Sequence, residues 1–562
     1  MDVVVIGGSA AGLKAACRIA RLQPDANVKV LIKSDKFGYS SCGLPYLLSG
    51  DLASYDVLIS TANGTIKDQK YFRNVKSIDV LPLHEAYEID RNARLVRGKN
   101  LTTGEEFVFP YDRLVIATGS VPIVPTVPGT ESSGGVMFFS RPDDAIRLRA
   151  ELERGEIERA SIIGAGFIGI ELCEAFSALW GIQVDLIEMQ SQVLAGLVDV
   201  EIARMIEEEL KNQGISLLLG CGCREIVGKD SKVCIFDSHG EALETDRIII
   251  ATGVHPNSEL AREAGLEIGV TGGIKVNDRL ATSDPDIFAA GDCVELQSIV
   301  DGHVDIWSLG SLANRMGRVA GDNACNGDSR FGRVAGVTIL KLFDITIGAV
   351  GLSTAACAER GYEVDFSCGT FHDRLFYYPE ASPINCKLIY DRSTGKVMGF
   401  QAVSRGSIHS VLDKAAYAIK NGATVDDLKD IEHAYAPPFS QPFDPLHYLA
   451  FIVDNSHSAG VKLYSPAMFE TFDESTVILD VRSPHEVKAR PLSKIKPSIL
   501  EIPVEELRER ISEVPSRKEI VAICQTGGRA WDAALMLRRA GWREVGILAG
   551  GALFMPKAEN SE

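Results

Sequence analysis

The sequence lacks an uninterrupted apolar run of the length that a membrane-spanning helix requires, about 18 residues or more. It also lacks a positive charge balance: the formal net charge is −18, with 58 Lys and Arg against 76 Asp and Glu. Nucleic acids and anionic membrane surfaces require a basic face, so we expect neither as a partner. The N-terminus, Met1 to Gly7, has the pattern of a buried strand without a basic segment, which argues against a signal peptide.

The 12 cysteines show neither the spacing of a disulfide framework nor the clusters of a metal site. Cys221 and Cys223 form an isolated Cys-x-Cys pair, so we predict no bound metal. Scattered thiols of this kind are typical of a reducing compartment, where most are small buried residues. We therefore expect a cytoplasmic protein, and its length of 562 residues predicts several domains.

Two segments have the pattern of a buried strand, a glycine turn and a helix, which opens a doubly wound α/β domain. The first begins at Val3 and the second at Ala160. Each is followed by an apolar strand that ends in Ala-Thr-Gly, and these ends supply the cofactor-binding candidates Ala117, Thr118, Gly119 and Gly253. One architecture therefore occurs twice, with the second copy inserted in the first.

The second glycine loop has the full Gly-x-Gly-x-x-Gly motif at Gly164, Gly166 and Gly169, and Glu188 ends the following strand. These glycines allow the backbone to approach a pyrophosphate at a helix N-terminus. Glu188 can accept hydrogen bonds from a ribose 2′-OH and would repel a 2′-phosphate. The sequence therefore favours NADH over NADPH at this site.

The first glycine loop departs from the motif, because Ser9 takes the place of the middle glycine between Gly7 and Gly12. Lys33 follows the next strand, where an acidic ribose ligand is usual. A second anchor is the pair Gly291 and Asp292, since an aspartate at a strand end can bind the ribityl or phosphate part of a flavin. With Ala10, these residues predict an FAD site.

Cys42 precedes Gly43, Leu44 and Pro45, a sequence typical of a turn or helix start. The field of a helix N-terminus would lower the pKa of the thiol. A buried turn cysteine explains the local sequence as simply, but the neighbouring dinucleotide loops favour a redox thiol. Leu47 stands five residues further on, so Cys42 has no local disulfide partner and would form a mixed disulfide with its substrate or an oxidised sulfur species.

With these landmarks, residues 1 to about 445 resemble the pyridine nucleotide–disulfide oxidoreductase family, and within it the coenzyme A disulfide and persulfide reductase branch. The resemblance implies FAD, a nicotinamide cofactor and a homodimer formed by a C-terminal dimerisation domain. Oxidases and peroxidases of the family carry a histidine in the first glycine loop, where this chain has Ala10. That difference counts against oxygen or peroxide chemistry as the main role.

Lys14, Arg18 and Arg21 have the spacing of one helix face. By itself such a stripe is equally compatible with a solvated surface, whereas in the resembling family this face contacts the nucleotide of coenzyme A. Substrate contact is also expected from Tyr39, Ser41 and Asn314. The resemblance further implies that two catalytic tyrosines of the partner subunit reach the thiol, and these would be Tyr377 and Tyr435.

The C-terminal part, residues 462 to about 556, resembles a rhodanese domain. Its loop Cys524-Gln525-Thr526-Gly527-Gly528-Arg529 would stabilise a thiolate or persulfide on Cys524 through backbone N–H groups and the charge of Arg529. Between Glu486 and Ile502 the usual Gly-His-Ile is missing, and residues 488–500 take its place. Substrate access in this region therefore differs from the family pattern.

The predicted fold is α/β, with two doubly wound dinucleotide-binding domains, an α+β dimerisation domain and an α/β rhodanese domain. The predicted limits are 1–120 and 251–328 for FAD, 121–250 for NAD, 329–447 for dimerisation and 462–562 for rhodanese. The predicted reaction is NADH-dependent reduction of coenzyme A persulfide, polysulfide or disulfide at Cys42, while Cys524 handles sulfane sulfur. Alternatives are an NADH oxidase or peroxidase, and a non-catalytic sulfane-sulfur carrier or redox sensor.

Overall fold

The computed structural model describes residues 1–130, 134–229, 232–238, 240–492 and 495–555. The chain divides into two compact units. The first comprises Met1–Met189 and Cys221–Val334, and the second comprises Gln190–Gly220 and Ala335–Glu562. The predicted C-terminal limit at 562, and residues 493–494 of the divergent segment, lie outside the described ranges.

The first unit opens with the predicted alternation of buried strands and helices. Its elements up to residue 122 are β1 (Asp2–Ile6), α1 (Ala10–Leu22), β2 (Asn27–Ile32), α2 (Leu44–Ser49), α3 (Tyr55–Ile59), α4 (Gln69–Lys76), β3 (Asp79–Pro82), β4 (His84–Asp90), β5 (Leu95–Asn100), β6 (Glu106–Pro110), β7 (Arg113–Ile116) and β8 (Ser120–Pro122). A short 3-10 turn, Ser41–Gly43, immediately precedes α2.

The second strand–glycine–helix copy and the return to the first domain follow. Their elements are β9 (Val136–Phe138), α5 (Pro142–Glu153), β10 (Arg159–Ile163), α6 (Phe167–Ser177), β11 (Gln183–Glu188), α7 (Val200–Asn212), β12 (Ser216–Leu219), β13 (Cys223–Lys229), β14 (Lys232–Asp237), β15 (Ala242–Thr245), β16 (Arg247–Ile250), β17 (Val254–Pro256), α8 (Glu259–Glu263), β18 (Ile287–Ala289), β19 (Leu296–Gln297), β20 (Val304–Asp305) and α9 (Gly310–Ala324). Of these, α7 and β12 belong to the second unit.

Two parallel sheets organise the first unit. One has the strand order β18-β7-β1-β2-β3, and the other contains β11-β10-β16-β9 in adjacent positions. Central strands such as β1 are almost wholly buried, because helices cover both faces of a parallel sheet. Strand β18 pairs with β7 across the whole intervening copy, which confirms that the second architecture is inserted in the first.

The second unit contains an antiparallel sheet and a smaller parallel sheet. The elements of the first part are β21 (Thr338–Leu342), β22 (Ile345–Gly351), α10 (Thr354–Glu359), β23 (Val364–His372), β24 (Pro383–Asp391), β25 (Val397–Ser404), α11 (His409–Lys420), α12 (Val425–Leu428) and α13 (Pro445–Ala459). The sheet order is β21-β22-β25-β24-β23. The predicted hairpin is confirmed, since Tyr390 pairs with Val397 around the turn.

The C-terminal part of the second unit is an α/β module. Its elements are β26 (Lys462–Tyr464), β27 (Thr476–Asp480), α14 (Pro484–Ala489), β28 (Ser498–Glu501), β29 (Glu519–Ile523), α15 (Gly528–Arg539) and β30 (Val545–Leu548). The strands form a parallel sheet in the order β26-β30-β29-β27-β28. A 3-10 turn, Gly551–Phe554, follows β30. In the part of the chain that the structure describes, every helix is too short or too polar to cross a membrane.

Candidate active site

A cavity of about 330 Å³ in the first unit has Cys42 in its wall. The cavity joins residues from α1, the segment before α2, α4 and α9, which are far apart in the sequence. The lining includes Ser9, Ala10, Lys14, Cys17, Tyr39, Ser41, Cys42, Lys67, Tyr71, Lys76, Gly310 and Asn314. The structure thus brings the predicted redox cysteine together with four of the six predicted substrate residues.

Cys42 lies in the 3-10 turn, and its position is fixed by its surroundings. Helix α2 buries Leu44, Pro45, Leu47 and Leu48 and so anchors the turn in the core. On the other side, α9 begins at the thiol: a Cβ atom placed on Gly310 would lie 3.6 Å from the Cys42 Sγ. The thiol is therefore exposed to the cavity while the backbone that carries it is held from two directions.

The pKa of the Cys42 thiol is raised above its ordinary value, so the predicted lowering by the helix field is wrong. Burial by the surrounding protein is the largest cause, and the negative charge of Glu171 adds to it, as does that of Asp292. A hydrogen bond from Ser41 acts in the opposite direction but is outweighed. The thiol form therefore dominates at neutral pH, and forming the thiolate requires a nearby proton acceptor.

Glu171 is the acidic group that the sequence prediction missed. Burial, followed by the charge of Glu174, raises its pKa to about 7. Burial also raises the pKa of Asp292 to about 6, against a hydrogen bond from Ser120. Glu171 lies in α6, two residues after Gly169, and α6 carries a second acid, Glu174, so the sequence of the helix gives no signal that singles out Glu171. The carboxyl groups of Glu171 and Asp292 can both exchange a proton near neutrality.

The basic lining of the cavity comes from Lys14, Lys67 and Lys76. Lys67 donates a hydrogen bond to the Gly38 carbonyl (2.9 Å), and burial together with the charge of Lys14 lowers its pKa. The sequence prediction missed Lys67, which lies before α4, and Lys76, which is the last residue of α4. Three ammonium groups in the lining of one cavity favour a ligand with several negative charges.

The predicted basic stripe of α1 contributes one residue to the described lining of the cavity. Lys14 lines the cavity, whereas Arg18 forms an ion pair with Asp322 of α9. Arg21 is exposed and, like Arg18, does not belong to the described residues of the cavity wall. Substrate contact by Arg18 and Arg21 stays a prediction, and the ion pair of Arg18 joins α1 to α9.

The first glycine loop has the geometry that a bound dinucleotide requires. Gly7 has a φ of +118°, and a Cβ atom there would collide with the Ala117 carbonyl. A Cβ atom on Gly12 would collide with the Gly7 carbonyl, so the backbone of the loop packs too closely at this position for any side chain. Gly119 and Gly291 also have positive φ values. Lys33 is exposed and pairs with Glu85 (2.6 Å).

The second glycine loop is built in the same way. Gly164 has a φ of +108°, and a Cβ atom on Gly169 would collide with the Gly164 carbonyl. Ala165 N–H donates to the Glu188 carboxylate (2.7 Å), which places that acid at the end of β11 beside the loop. A Cβ atom on Gly166 would meet no described atom within 4 Å, so the loop face stays open to a pyrophosphate. Gly253 also has a positive φ, +101°.

Tyr377 and Tyr435 lie in the second unit, on two loops beside the antiparallel sheet. They are 64% and 48% exposed, and Phe376 and Phe439 next to them are exposed at 75% and 79%. The Gln441 side chain donates to the His372 carbonyl (2.6 Å) and so joins the two loops. This exposed aromatic surface is of the kind that a subunit interface covers.

Cys524 follows β29 and begins the loop that leads into α15. Its side chain is fully buried, and Gly527 N–H donates to its Sγ (3.1 Å). Arg529 binds Glu486 with both of its terminal nitrogens (2.8 and 2.5 Å). This hydrogen bonding lowers the pKa of Glu486 to about 2. The charge of Arg529 is thus shared between Glu486 and the thiol loop. Within the described ranges, no group of His, Cys, Asp or Glu has the arrangement of a metal site.

Comparison with known families divides the chain into three matched regions. Residues 1–316 match the pyridine nucleotide-disulphide oxidoreductase family, and residues 337–446 match the dimerisation domain of that family. Residues 467–553 match the rhodanese-like domain. The first match alone covers more than half of the chain.

Among similar proteins, an NAD(P)H sulfur oxidoreductase (CoA-dependent) from Pyrococcus abyssi is 35% identical over 80% of this chain and 98% of its own length. An NADH oxidase from Methanocaldococcus jannaschii is 32% identical with the same coverage. The solved structure of an NAD-dependent persulfide reductase from A. fulgidus is 38% identical, with a TM-score of 0.93 over 99% of this chain and 100% of that one. The chain is therefore a member of the pyridine nucleotide-disulphide oxidoreductase family, with its dimerisation domain and a C-terminal rhodanese-like domain.

Proposed function

We propose that this enzyme reduces the sulfur–sulfur bond of a coenzyme A persulfide or polysulfide, and of coenzyme A disulfide, at the single redox thiol Cys42. One observation carries the proposal: a single cavity of about 330 Å³ is lined by Cys42 and by Lys14, Lys67 and Lys76. A thiol at one position and several ammonium groups at others suit a substrate that joins a sulfur to phosphates. The names of the relatives from Pyrococcus abyssi and A. fulgidus support this substrate class.

The family uses FAD and NAD(P)H, and the two glycine loops fit them. We assign the FAD site to Gly7, Ser9, Ala10, Gly12, Lys33, Ala117, Thr118, Gly119, Gly291 and Asp292, and the nicotinamide site to Gly164, Gly166, Gly169, Glu188 and Gly253. We assign NADH rather than NADPH, because the Glu188 carboxylate beside the loop would repel a 2′-phosphate. The domain limits predicted from the sequence belong to the same proposal.

In the proposed reaction, the Cys42 thiolate attacks the sulfur–sulfur bond of the substrate. With a persulfide it forms a mixed disulfide with coenzyme A while hydrosulfide leaves, and with a disulfide the second coenzyme A leaves as a thiol. Bound FAD and NADH supply the two electrons that cleave the mixed disulfide and release coenzyme A. We assign the role of proton acceptor for the Cys42 thiol to Glu171, because its charge acts on that thiol and its pKa is about 7.

The remaining predicted residues act in substrate binding and sulfur transfer. Tyr39, Ser41 and Asn314 line the cavity around Cys42 and contact the substrate. In a homodimer, for which the matched dimerisation domain is the argument, Tyr377 and Tyr435 of each subunit complete the site of the other. Cys524 carries sulfane sulfur as a persulfide, held by the loop N–H groups and Arg529, and transfers it to coenzyme A.

The rival activity is NADH oxidation by oxygen, since one relative is named an NADH oxidase. Ala10 argues against it, because the oxidases and peroxidases of the family carry a histidine at this position. The rhodanese-like domain adds a second argument, because oxygen reduction has no use for a sulfane-sulfur site. A non-catalytic carrier or redox sensor would show no sustained NADH consumption with any substrate.

Steady-state NADH oxidation separates these functions. We expect faster turnover with coenzyme A persulfide than with oxygen, with release of hydrosulfide. Cys42→Ser should abolish this release, while Cys524→Ser should leave reduction of small persulfides intact and remove sulfur transfer. Equal rates with persulfide and oxygen would contradict the proposal, and so would loss of both activities in Cys524→Ser alone.

A further inference from the structure

Arg490 lies in the segment that departs from the rhodanese pattern, directly after α14. Its side chain is only 15% exposed, and its Nε donates to the Ala552 carbonyl (3.0 Å). A terminal nitrogen donates to the Met555 carbonyl, and the Arg490 carbonyl accepts from the fully buried Arg482 (2.7 Å). In the segment that lacks Gly-His-Ile, the Arg490 side chain therefore binds the backbone that follows β30, while the Arg490 carbonyl is bound by Arg482.

The segment held by Arg490 forms the back of the Cys524 loop. Ala552 N–H donates to the Cys524 carbonyl (2.8 Å), and Leu553 N–H donates to the Gln525 carbonyl (3.1 Å). A Cβ atom on Gly551 would collide with the Cys524 carbonyl, so the two backbones are in direct contact. The position of this turn thereby sets the position of the Cys524 backbone.

Helix α7, in the same compact unit, approaches Arg490 from the other side. The Glu208 carboxylate lies 3.8 Å from the Arg490 guanidinium, and Arg204 pairs with Glu470 (3.3 Å). Glu201 accepts a hydrogen bond from Ser465 and pairs with the buried Lys387 (3.0 Å). Residues 201, 204 and 208 lie on one face of α7, as the spacing of three and four residues requires. The face of α7 formed by these residues therefore docks the C-terminal module.

We propose that Arg490 is a positioning residue for Cys524, and that through Glu208 it makes sulfur transfer dependent on the docking of the C-terminal module on α7. The inference rests on the proposed sulfurtransferase role of Cys524. Loss of the guanidinium removes the donor to two partly buried carbonyl groups, those of Ala552 and Met555. The turn that contains them is then no longer held in place against the Cys524 loop. Loss of the Glu208 charge weakens the link to α7 alone.

The test uses the full-length chain with thiosulfate as sulfur donor and cyanide as acceptor. In the first step Cys524 takes the sulfane sulfur and sulfite leaves; in the second, cyanide takes that sulfur and the thiolate returns. Arg490→Met should lower kcat about tenfold or more with KM little changed, because substrate contacts stay while the thiol is misplaced. Arg490→Lys should restore part of the rate, and Glu208→Gln should fall between Arg490→Met and the wild type.

Arg510→Met is the matched control, because Arg510 is an arginine of the same module whose side chain pairs with the nearby Glu506 and Glu513. Unchanged kcat in Arg490→Met, or an equal loss in Arg510→Met, overturns the positioning role. Wild-type kcat in Glu208→Gln overturns the link to α7. If the wild type transfers no sulfur, the proposed function of Cys524 fails. The rate of Cys524 alkylation in the Cys42→Ser background still tests the positioning role, with Arg490→Met expected to change it and an unchanged rate contradicting it.

Discussion

For Cys42, the sequence predicts the absence of a local disulfide partner but not the pKa of the thiol. Its identity as a lone thiol without a local disulfide partner is visible from Leu47, five residues on. The direction of its pKa shift is not, because the causes are burial in the folded protein and, second to it, the charge of Glu171, which lies 129 positions away in the chain. Desolvation and a distant carboxylate outweigh the local helix start.

Glu171 should impose a pH dependence on stability. Its pKa is raised from 4.5 to about 7 in the folded state, so the unfolded chain ionises first as the pH rises. The free energy of unfolding of the wild type should therefore fall between these two pH values, by up to about 3 kcal/mol, relative to Glu171→Gln. Melting temperatures of both proteins across this range check the difference, with the exposed Glu263→Gln as control. Parallel curves for wild type and Glu171→Gln would refute the assignment.

Gly310 should be required for activity more than for folding. An added methyl group would sit 3.6 Å from the Cys42 Sγ, an ordinary contact for the free thiol but an obstacle to a second sulfur bonded to it. Gly310→Ala should therefore melt no lower than the wild type while kcat/KM for coenzyme A persulfide falls about tenfold. Gly332→Ala serves as the control, since a Cβ atom there meets no described atom within 4 Å. Full activity in Gly310→Ala would contradict this view of the site.

At the scale of elements, helix periodicity correctly placed Lys14, Arg18 and Arg21 on α1 but did not distinguish their uses. Arg18 is taken by Asp322 of α9, a contact between helices more than 300 positions apart in the chain. Lys67 and Lys76 were also missed, because the local sequence does not show that α4 packs near α1 and so brings Lys76 to the cavity. Residue spacing therefore predicts which side chains share a helix face, whereas the contacts of that face depend on packing between distant parts of the chain.

The lysines of α1 and α4 should govern affinity for the phosphates of the substrate. Lys14→Met or Lys76→Met should raise KM for coenzyme A substrates about tenfold, because each removes a charge-assisted contact. KM for glutathione persulfide, which has no phosphate, should stay unchanged, and added salt should reduce the difference between variant and wild type. Lys70→Met, at an exposed position of α4 outside the described lining of the cavity, is the control. An equal rise in KM for both substrates would contradict phosphate binding.

At the scale of the whole molecule, the order of modules was predictable because each begins with its own motif. The inserted copy, the antiparallel hairpin and the C-terminal α/β module all follow from local strand, turn and glycine patterns. The sequence did not predict that α7 belongs to the second compact unit. This helix follows the second glycine loop in sequence but belongs to the second compact unit, where Glu201 meets Lys387. Buried ion pairs between distant segments leave no periodic trace in the sequence.

The central claim is that Cys42 bonds covalently to the sulfur of a coenzyme A substrate. Peptide mass spectrometry on the protein incubated with coenzyme A persulfide in the absence of NADH tests it most directly. We predict a Cys42 peptide that carries coenzyme A through a disulfide and that returns to the free thiol when NADH is added. A Cys42 peptide that stays unmodified or carries only oxygen, while NADH is consumed at the normal rate, would contradict the account.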